Sequence, residues 1–314
     1  MKKTDLVVTS NQYVEAKYLL GLNEEKIIYC AMLTAREIKS GFDQDTFIEV
    51  RAKDFAMLTG LDDREAYRAL RRVSSTLKKR FVTFHEPDPV TGKPSILEVV
   101  LVNAVRYVEE AGVIRLRFTK EIIPHFTQLI DGNFTVHEIG YLAKLSSTYA
   151  TRLYRLLHKE MFRGKVVEFD LEYLRDIFQL EGKYQLLENF KKRVVDIAVA
   201  QINEHTELKV SYESIKMGRT VTGLGFTVTQ KPTEQPSKAA SKQQKQSESA
   251  PQNLSAFTGL EKQIFNQLQR DFDFIDEEYV RQMMGKWGID DAIAVMHKLR
   301  EEMSPDNFSL EKSD

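Results

Sequence analysis

Apolar positions along this chain alternate between two periods, and the changes of period mark out its elements. In "LLENFKKRVVDIAVAQINEHTELKVSY", residues 186–212, Phe190, Val194, Ile197 and Ile202 recur at helical spacing, and a β-type run follows. The pattern predicts a helix with one buried stripe that runs into a strand. Two further runs match each other at an offset of 119: "FIEVRAKDFAMLTGL" (47–61) and "VVEFDLEYLRDIFQL" (166–180). Each is a short β-rich run followed by a helix, with Phe55 matching Leu174, Leu58 matching Ile177 and Leu61 matching Leu180. A second helix follows in each half, "DREAYRALRRVSSTLKKR" in the first and "NFKKRVVDIAVAQINEHT" in the second.

β-type segments come next. They are "FVTFHEP", "SILEVVLVNAVRYV" and "GVIRLRF" in the first half, with "DPVTGKPS" as a turn, and "ELKVSYESIK" and "RTVTGLGFTV" in the second, with "MG" as the turn. Each half also has an earlier helix, "NEEKIIYCAMLTAREI" or "SSTYATRLYRLLHKEMF". Helix–turn–helix followed by a β-hairpin is the outline of a winged helix. The expected fold is therefore α+β: tandem winged-helix domains over residues 1–131 and 132–230, joined near "FTQLIDGNFTV". Residues 231–255 are rich in Gln, Ser, Lys and Pro and nearly empty of large apolar groups, which predicts a flexible linker. Residues 256–314 regain helical spacing and predict a small acidic helical segment.

Charge changes the picture more than composition does. The chain of 314 residues has a net charge of −1, which by itself argues against a polyanionic partner. Residues 257–314 alone carry 7 Lys+Arg and 13 Asp+Glu, so the first 256 residues carry +5. From Arg64 to Arg80 there are seven cations against Glu65 alone. A whole-chain balance hides an electrostatic footprint of this kind. The cations of both halves fall on the second helix of a helix–turn–helix, the one that enters the DNA major groove. Those residues are Arg68, Arg71, Arg72, Lys78 and Lys79 in the first half, and Lys191, Lys192 and Arg193 in the second. Three cations at a helix start oppose the helix dipole, an arrangement that a phosphate or a guanine edge would offset. Lys216 and Arg219 sit at the tip of the second hairpin, where a wing could reach the DNA backbone or simply be a solvated turn.

Catalytic signatures are weak. "TGKPS" lacks the upstream glycine of a phosphate-binding loop and has Pro94 where the hydroxyl belongs. None of the six histidines pairs at two- or four-residue spacing, so no metal site is expected. Tyr149 and Tyr154 lie on an apolar helical stripe rather than beside a histidine pair, which argues against a rolling-circle nicking enzyme. Cys30, the single cysteine, lies on an apolar helix face, where a buried, inert thiol is expected and no disulfide can form within the chain. No apolar run approaches membrane-span length and the N-terminus does not read as a signal peptide, so a cytoplasmic, non-enzymatic protein with no cofactor and no membrane partner is expected.

"SNQYVEAKYLLGLNEEKIIYCAM", "SSTYATRLYRLL", "FDLEYLRDIFQL" and "NFKKRVVDIAVAQINEHTELKVSYESIKMGRTVTGLGFTV" resemble replication initiator proteins of iteron-containing bacterial plasmids, over about residues 5–230. The resemblance implies two winged-helix domains that bind direct repeats, the iterons, in double-stranded origin DNA as a monomer. It further implies opening of an adjacent AT-rich region and recruitment of the host's initiator ATPase and replicative helicase. A homodimer in equilibrium with the monomer would bind an operator inverted repeat and repress the initiator's own promoter. By carry-over, Lys191, Lys192 and Arg193 read DNA, Arg68, Arg71 and Arg72 contact the other half of the site, and "EVVLVNAVRYV" is the candidate dimer strand. A transcriptional repressor without a replication role would use the same helices.

Overall fold

The computed structural model describes residues 5–37, 43–127, 134–160 and 166–231, and four single positions beyond, 280, 281, 283 and 295. The linker expected over 231–255, apart from Lys231, and the helices expected in 256–314, apart from those four positions, lie outside the described residues.

The first winged helix is assembled from α2 (Leu22–Glu37), β3 (Ile48–Arg51), α3 (Ala52–Thr59), α4 (Asp63–Thr76), β6 (Val102–Val108) and β7 (Val113–Phe118). Its antiparallel sheet has the order β3-β7-β6. The turn between α3 and α4 is set by local chemistry. Gly60 takes φ +74°, the left-handed conformation that ends a helix, and its N–H donates to the Ala56 carbonyl. The carboxylate of Asp62 then caps α4 by accepting from the Glu65 N–H at 2.8 Å.

The second winged helix repeats this plan with α7 (Thr148–Glu160), β9 (Val166–Asp170), α8 (Leu171–Ile177), a long second helix, β10 (Leu208–Met217) and β11 (Thr220–Gln230). Its sheet order is β10-β11-β9. The long helix, α9 (187–205), is continuous and made of Leu187–Phe190, a π-helical turn Lys191–Val195, and Asp196–His205. The matched apolar positions of the two halves serve the same purpose. Phe55 and Leu174 are fully buried, Leu58 and Ile177 nearly so, and Leu61 is half-buried where Leu180 is buried.

The segment "SILEVVLVNAVRYV" does not form one strand. It breaks at Leu101, whose side chain is fully buried and whose N–H donates to the Arg80 carbonyl at 2.9 Å. One part is β5 (Pro94–Val100), which pairs with β4 (Phe81–Pro87) in a hairpin inserted between α4 and the wing. That hairpin joins β2 (Lys17–Tyr18) in a separate sheet, while β6 enters the winged-helix sheet. The "DPVTGKPS" turn is as expected. Asp88 accepts from the N–H and hydroxyl of Thr91, both at 2.7 Å, and Gly92 takes φ +68°.

The two halves are joined by more than the chain. β8 (Phe134–Glu138) pairs antiparallel with β1 (Leu6–Ser10) at the beginning of the described residues. α7 carries two buried arginines into the N-terminal segment. Arg155 donates to the Tyr18 hydroxyl at 2.6 Å and to the Thr9 hydroxyl at 2.9 Å, and Arg152 donates to the Ala16 carbonyl at 2.6 Å. Lys17 and Asp176 add an ion pair at 2.5 Å. These hydrogen bonds favour one relative placement of the halves, because any other would strip the buried guanidinium groups of the partners they have in an apolar medium. Cys30 is fully buried, which pushes its thiol up to about 12. Among the described residues no helix is long and apolar enough to cross a membrane.

Candidate nucleic-acid interface

α4 is a strongly two-faced helix. Ala66, Ala69, Leu70 and Val73 face the core, and Arg64, Arg68, Arg71 and Arg72 are exposed on the other side. Asp63 and Glu65 occupy its first turn, where they complement the positive end of the dipole. A 3-10 turn, Leu77–Lys79, continues it and leaves Lys78 and Lys79 exposed. Arg80, the last of the seven cations in this run, is structural. Its Nε lies 2.9 Å from both carboxylate oxygens of the buried Glu24.

The cluster on α9 differs from the sequence expectation in two ways. The helix begins at Leu187, with Glu188 in its first turn, so Lys191, Lys192 and Arg193 occupy the second turn, where the dipole penalty has largely faded. The buried stripe is Phe190, Val194, Ala198 and Ile202, and Ile197 is 44% exposed. A spacing of four residues is wider than the 3.6 of an α-helix, and the π-helical turn absorbs the difference. Lys192 and Arg193 face solvent, whereas Lys191 is half-buried and turned toward the wing. Its Nζ donates to the Ser214 hydroxyl at 3.1 Å and lies 5.3 Å from the centroid of the Tyr212 ring. The Tyr212 hydroxyl donates to Asp196 at 2.6 Å; burial, and then the Asp196 carboxylate, push its pKa up. One helix, one strand and two charges are thereby locked at the joint between α9 and its hairpin.

Three participants were not legible in the sequence. Arg175 on α8 donates to the Tyr184 carbonyl at 2.7 Å and the Gln185 carbonyl at 3.2 Å, and its guanidinium lies 4.7 Å from the Phe190 ring centroid. It therefore holds the loop that launches α9, a loop in which Gln179 and Tyr184 take positive φ. Tyr212 is the second. The third is Glu109 in the turn of the first wing, which pairs with Arg71 at 3.2 Å. The wings are electrically unlike. The first turns through Glu109, Glu110, Ala111 and Gly112, and the second through Lys216, Met217, Gly218 and Arg219, all four exposed. The second hairpin turns on Gly218, at φ +64°, and Arg219, one residue later than the "MG" expected.

The other expected bystanders are packed. Tyr154 is fully buried and donates to Glu207 at 2.9 Å, and Tyr149 stacks edge-on against Phe178. Among the described residues no three His, Cys, Asp or Glu side chains gather as a metal would require.

Two basic helix faces, each backed by a helix–turn–helix and flanked by a hairpin, define a tandem winged-helix protein with the layout of a DNA-binding module. Residues 6–158 match the family described as Initiator Replication protein, WH1, and residues 170–228 match Initiator Rep protein, WH2. The chain belongs to this family of replication initiators. Among its relatives, the PI protein of Escherichia coli is 27% identical over 235 residues, covering 66% of this chain and 77% of its own length. An uncharacterized 27.6 kDa protein of the same organism is 22% identical over 231 residues, covering 70% of this chain and 93% of its own. The crystal structure of Pi initiator protein in complex with iteron DNA shares the fold, with a TM-score of 0.62 at 22% identity over 74% of this chain and 100% of that one.

Proposed function

We propose that this protein initiates plasmid replication by binding origin iterons sequence-specifically through α4 and α9. The single observation that carries this reading is the pair of exposed cation rows, Arg68–Arg71–Arg72 and Lys192–Arg193, each on the second helix of its own helix–turn–helix. The Pi initiator protein, a relative with the same fold, is crystallised with iteron DNA, which supports the same ligand class here. With both helices held on one rigid seam, they enter major-groove faces about one helical turn, roughly 10 bp, apart. Arg193 or Lys192 reads base edges, Lys191 braces the second wing, and Lys216 and Arg219 contact the backbone. Lys78 and Lys79 lie at the far end of the first helix and contact phosphate.

In this reading residues 1–131 and 132–230 are the two DNA-binding halves, 231–255 a linker and 256–314 an accessory acidic segment. The bound monomer helps open an adjacent AT-rich region and recruits the host initiator ATPase and replicative helicase. A dimer formed through the first half, with β5 or β6 as the edge strand, represses the protein's own promoter. Both strands lie at a sheet edge, which suits pairing with a second copy. No catalytic step is assigned to the chain.

A plasmid carrying the origin but lacking this gene, supplied with the protein in trans, tests the reading. Replication is the expected result. Binding without replication would leave a repressor. Nuclease protection by the monomer should extend over about 20 bp, and protection under about 12 bp would mean that one helix alone engages.

A further inference from the structure

The outer face of the first winged-helix sheet is cationic in a way that DNA binding through α4 does not use. The helices cover its inner face, where Ile48, Val50, Ile114 and Leu116 are fully buried. Among the described residues the outer face presents Arg51, Arg106, Arg115 and Arg117 against one carboxylate, that of Glu49. Glu49 is shared, accepting from Arg51 at 2.9 Å and from Arg115 at 3.0 Å, and these two hydrogen bonds lower its pKa. Arg106 and Arg117 have no carboxylate partner among the described residues. Their guanidinium carbons lie 5.4 and 5.2 Å from the ring centroid of Phe47, and Arg117 donates to the Asn103 side chain at 2.9 Å. Arg106 sits directly opposite Arg115 across the β6–β7 ladder. Like charges in that position weaken a sheet, so an anion laid over them would add stability.

The chain supplies an anion of matching chemistry. Residues 271–278 read "DFDFIDEE", with five carboxylates, two phenylalanines and no cation. Carboxylates answer guanidinium groups, and phenyl rings answer both guanidinium planes and the Phe47 ring. The second family match ends at residue 228, so this segment is additional to the two family domains. Reach is not limiting. The linker expected over residues 231–255 could by itself extend about 80 Å, while a folded body of this size has a radius of gyration of about 17 Å. A tether of this kind holds its end at a high effective concentration, so individually weak contacts suffice.

We infer that the acidic–aromatic segment 271–278 docks on the outer face of the first winged-helix sheet, over Arg106, Arg117 and Phe47. The contact is intramolecular, salt-sensitive and separate from the DNA-reading helices. Energy transfer in the full chain tests it. Cys30 is fully buried, so cysteines placed at Glu110 and Ser313 (Glu110→Cys, Ser313→Cys) take the dyes selectively.

Transfer should be strong at low ionic strength and fall at least about twofold at 0.5 M salt. The same loss is expected in Arg106→Gln/Arg117→Gln. It is also expected in Asp271→Asn/Asp273→Asn/Asp276→Asn, which leaves the sheet untouched and so guards against misfolding of the first variant. Lys192→Gln/Arg193→Gln should leave transfer unchanged. Transfer insensitive to both sets of changes, or lost only in the Lys192/Arg193 variant, overturns the proposal. So does oligothymidylate binding through Arg106 and Arg117 with transfer low throughout, because the face would then be a nucleic-acid surface.

Discussion

Lys191 stands over the ring of Tyr212, with Nζ 5.3 Å from its centroid, and so ties α9, the helix proposed to read DNA, to the strand that carries the wing. A row of three cations read from sequence thus divides by geometry into one brace and two free charges. Lys191→Ala should lower stability by about 0.5–1 kcal/mol through loss of this contact. It should also weaken specific and non-specific DNA binding together, since a looser wing loses backbone contacts. Chemical denaturation and affinity for cognate and random duplexes check both parts.

Lys192→Ala/Arg193→Ala should behave in the opposite way. Both side chains face solvent while Phe190, Val194 and Ala198 fill the core, so unfolding should be unchanged. Affinity for the cognate repeat should fall, with Arg193→Ala alone costing about 1–3 kcal/mol if it reads a guanine. Unaltered affinity in a folded variant would remove α9 from the interface.

Arg175→Met keeps an apolar stem near Phe190 but loses the hydrogen bonds to the carbonyls of Tyr184 and Gln185. A charged donor to the part-buried Tyr184 carbonyl is worth about 1.5–3 kcal/mol, the exposed bond to Gln185 adds less, and the launch of α9 depends on that loop. Both the thermal midpoint and iteron affinity should drop, although Arg175 itself is assigned no DNA contact. A loss confined to one of the two readouts would show that loop and helix are not coupled.

Gly112 closes the first wing at φ +58°, and a Cβ there would stand 2.4 Å from the Tyr67 ring of α4. Gly112→Ala should therefore destabilise by the cost of a left-handed backbone, about 1–2 kcal/mol, plus the displacement of Tyr67. The double variant Gly112→Ala/Tyr67→Ala should recover the second part only. Full recovery would mean that the backbone is not strained.

Glu25 is fully buried, and burial raises its carboxyl from the ordinary 4.5 to about 7, against the opposing pull of Arg155 and Arg152. Between those values the folded chain binds more protons than the unfolded one, so this group's contribution to stability falls as pH rises through the window. His125 opposes it. Burial lowers its pKa from 6.5 to about 4, and its contribution is lost as pH falls through that range. The wild-type profile should therefore be flatter than either group alone would give. The advantage of Glu25→Gln over wild type should grow from pH 5 to pH 7.5 in thermal unfolding, and a constant difference would contradict the raised carboxyl.

The amino-acid sequence by itself determined the two helix–turn–helix units with their hairpins, and their repetition. Helix–turn–helix is written in local chemistry, such as Gly60 and Asp62 around the turn, and in apolar spacing, such as Phe55 with Leu58 and Leu174 with Ile177. Those signals act within a few residues, so they survive without any knowledge of the rest of the chain. Tertiary structure decided what depends on partners distant in sequence. It turned Ile197 outward through a π-helical turn, broke one apolar run at Leu101 into strands of two sheets, and took Arg80 out of the basic face by pairing it with Glu24. It also buried Arg152 and Arg155, which on a helix read as surface charges, against the N-terminal segment more than 130 residues away. A charge is solvated or spent according to what packs against it, and packing is not encoded in any one stretch.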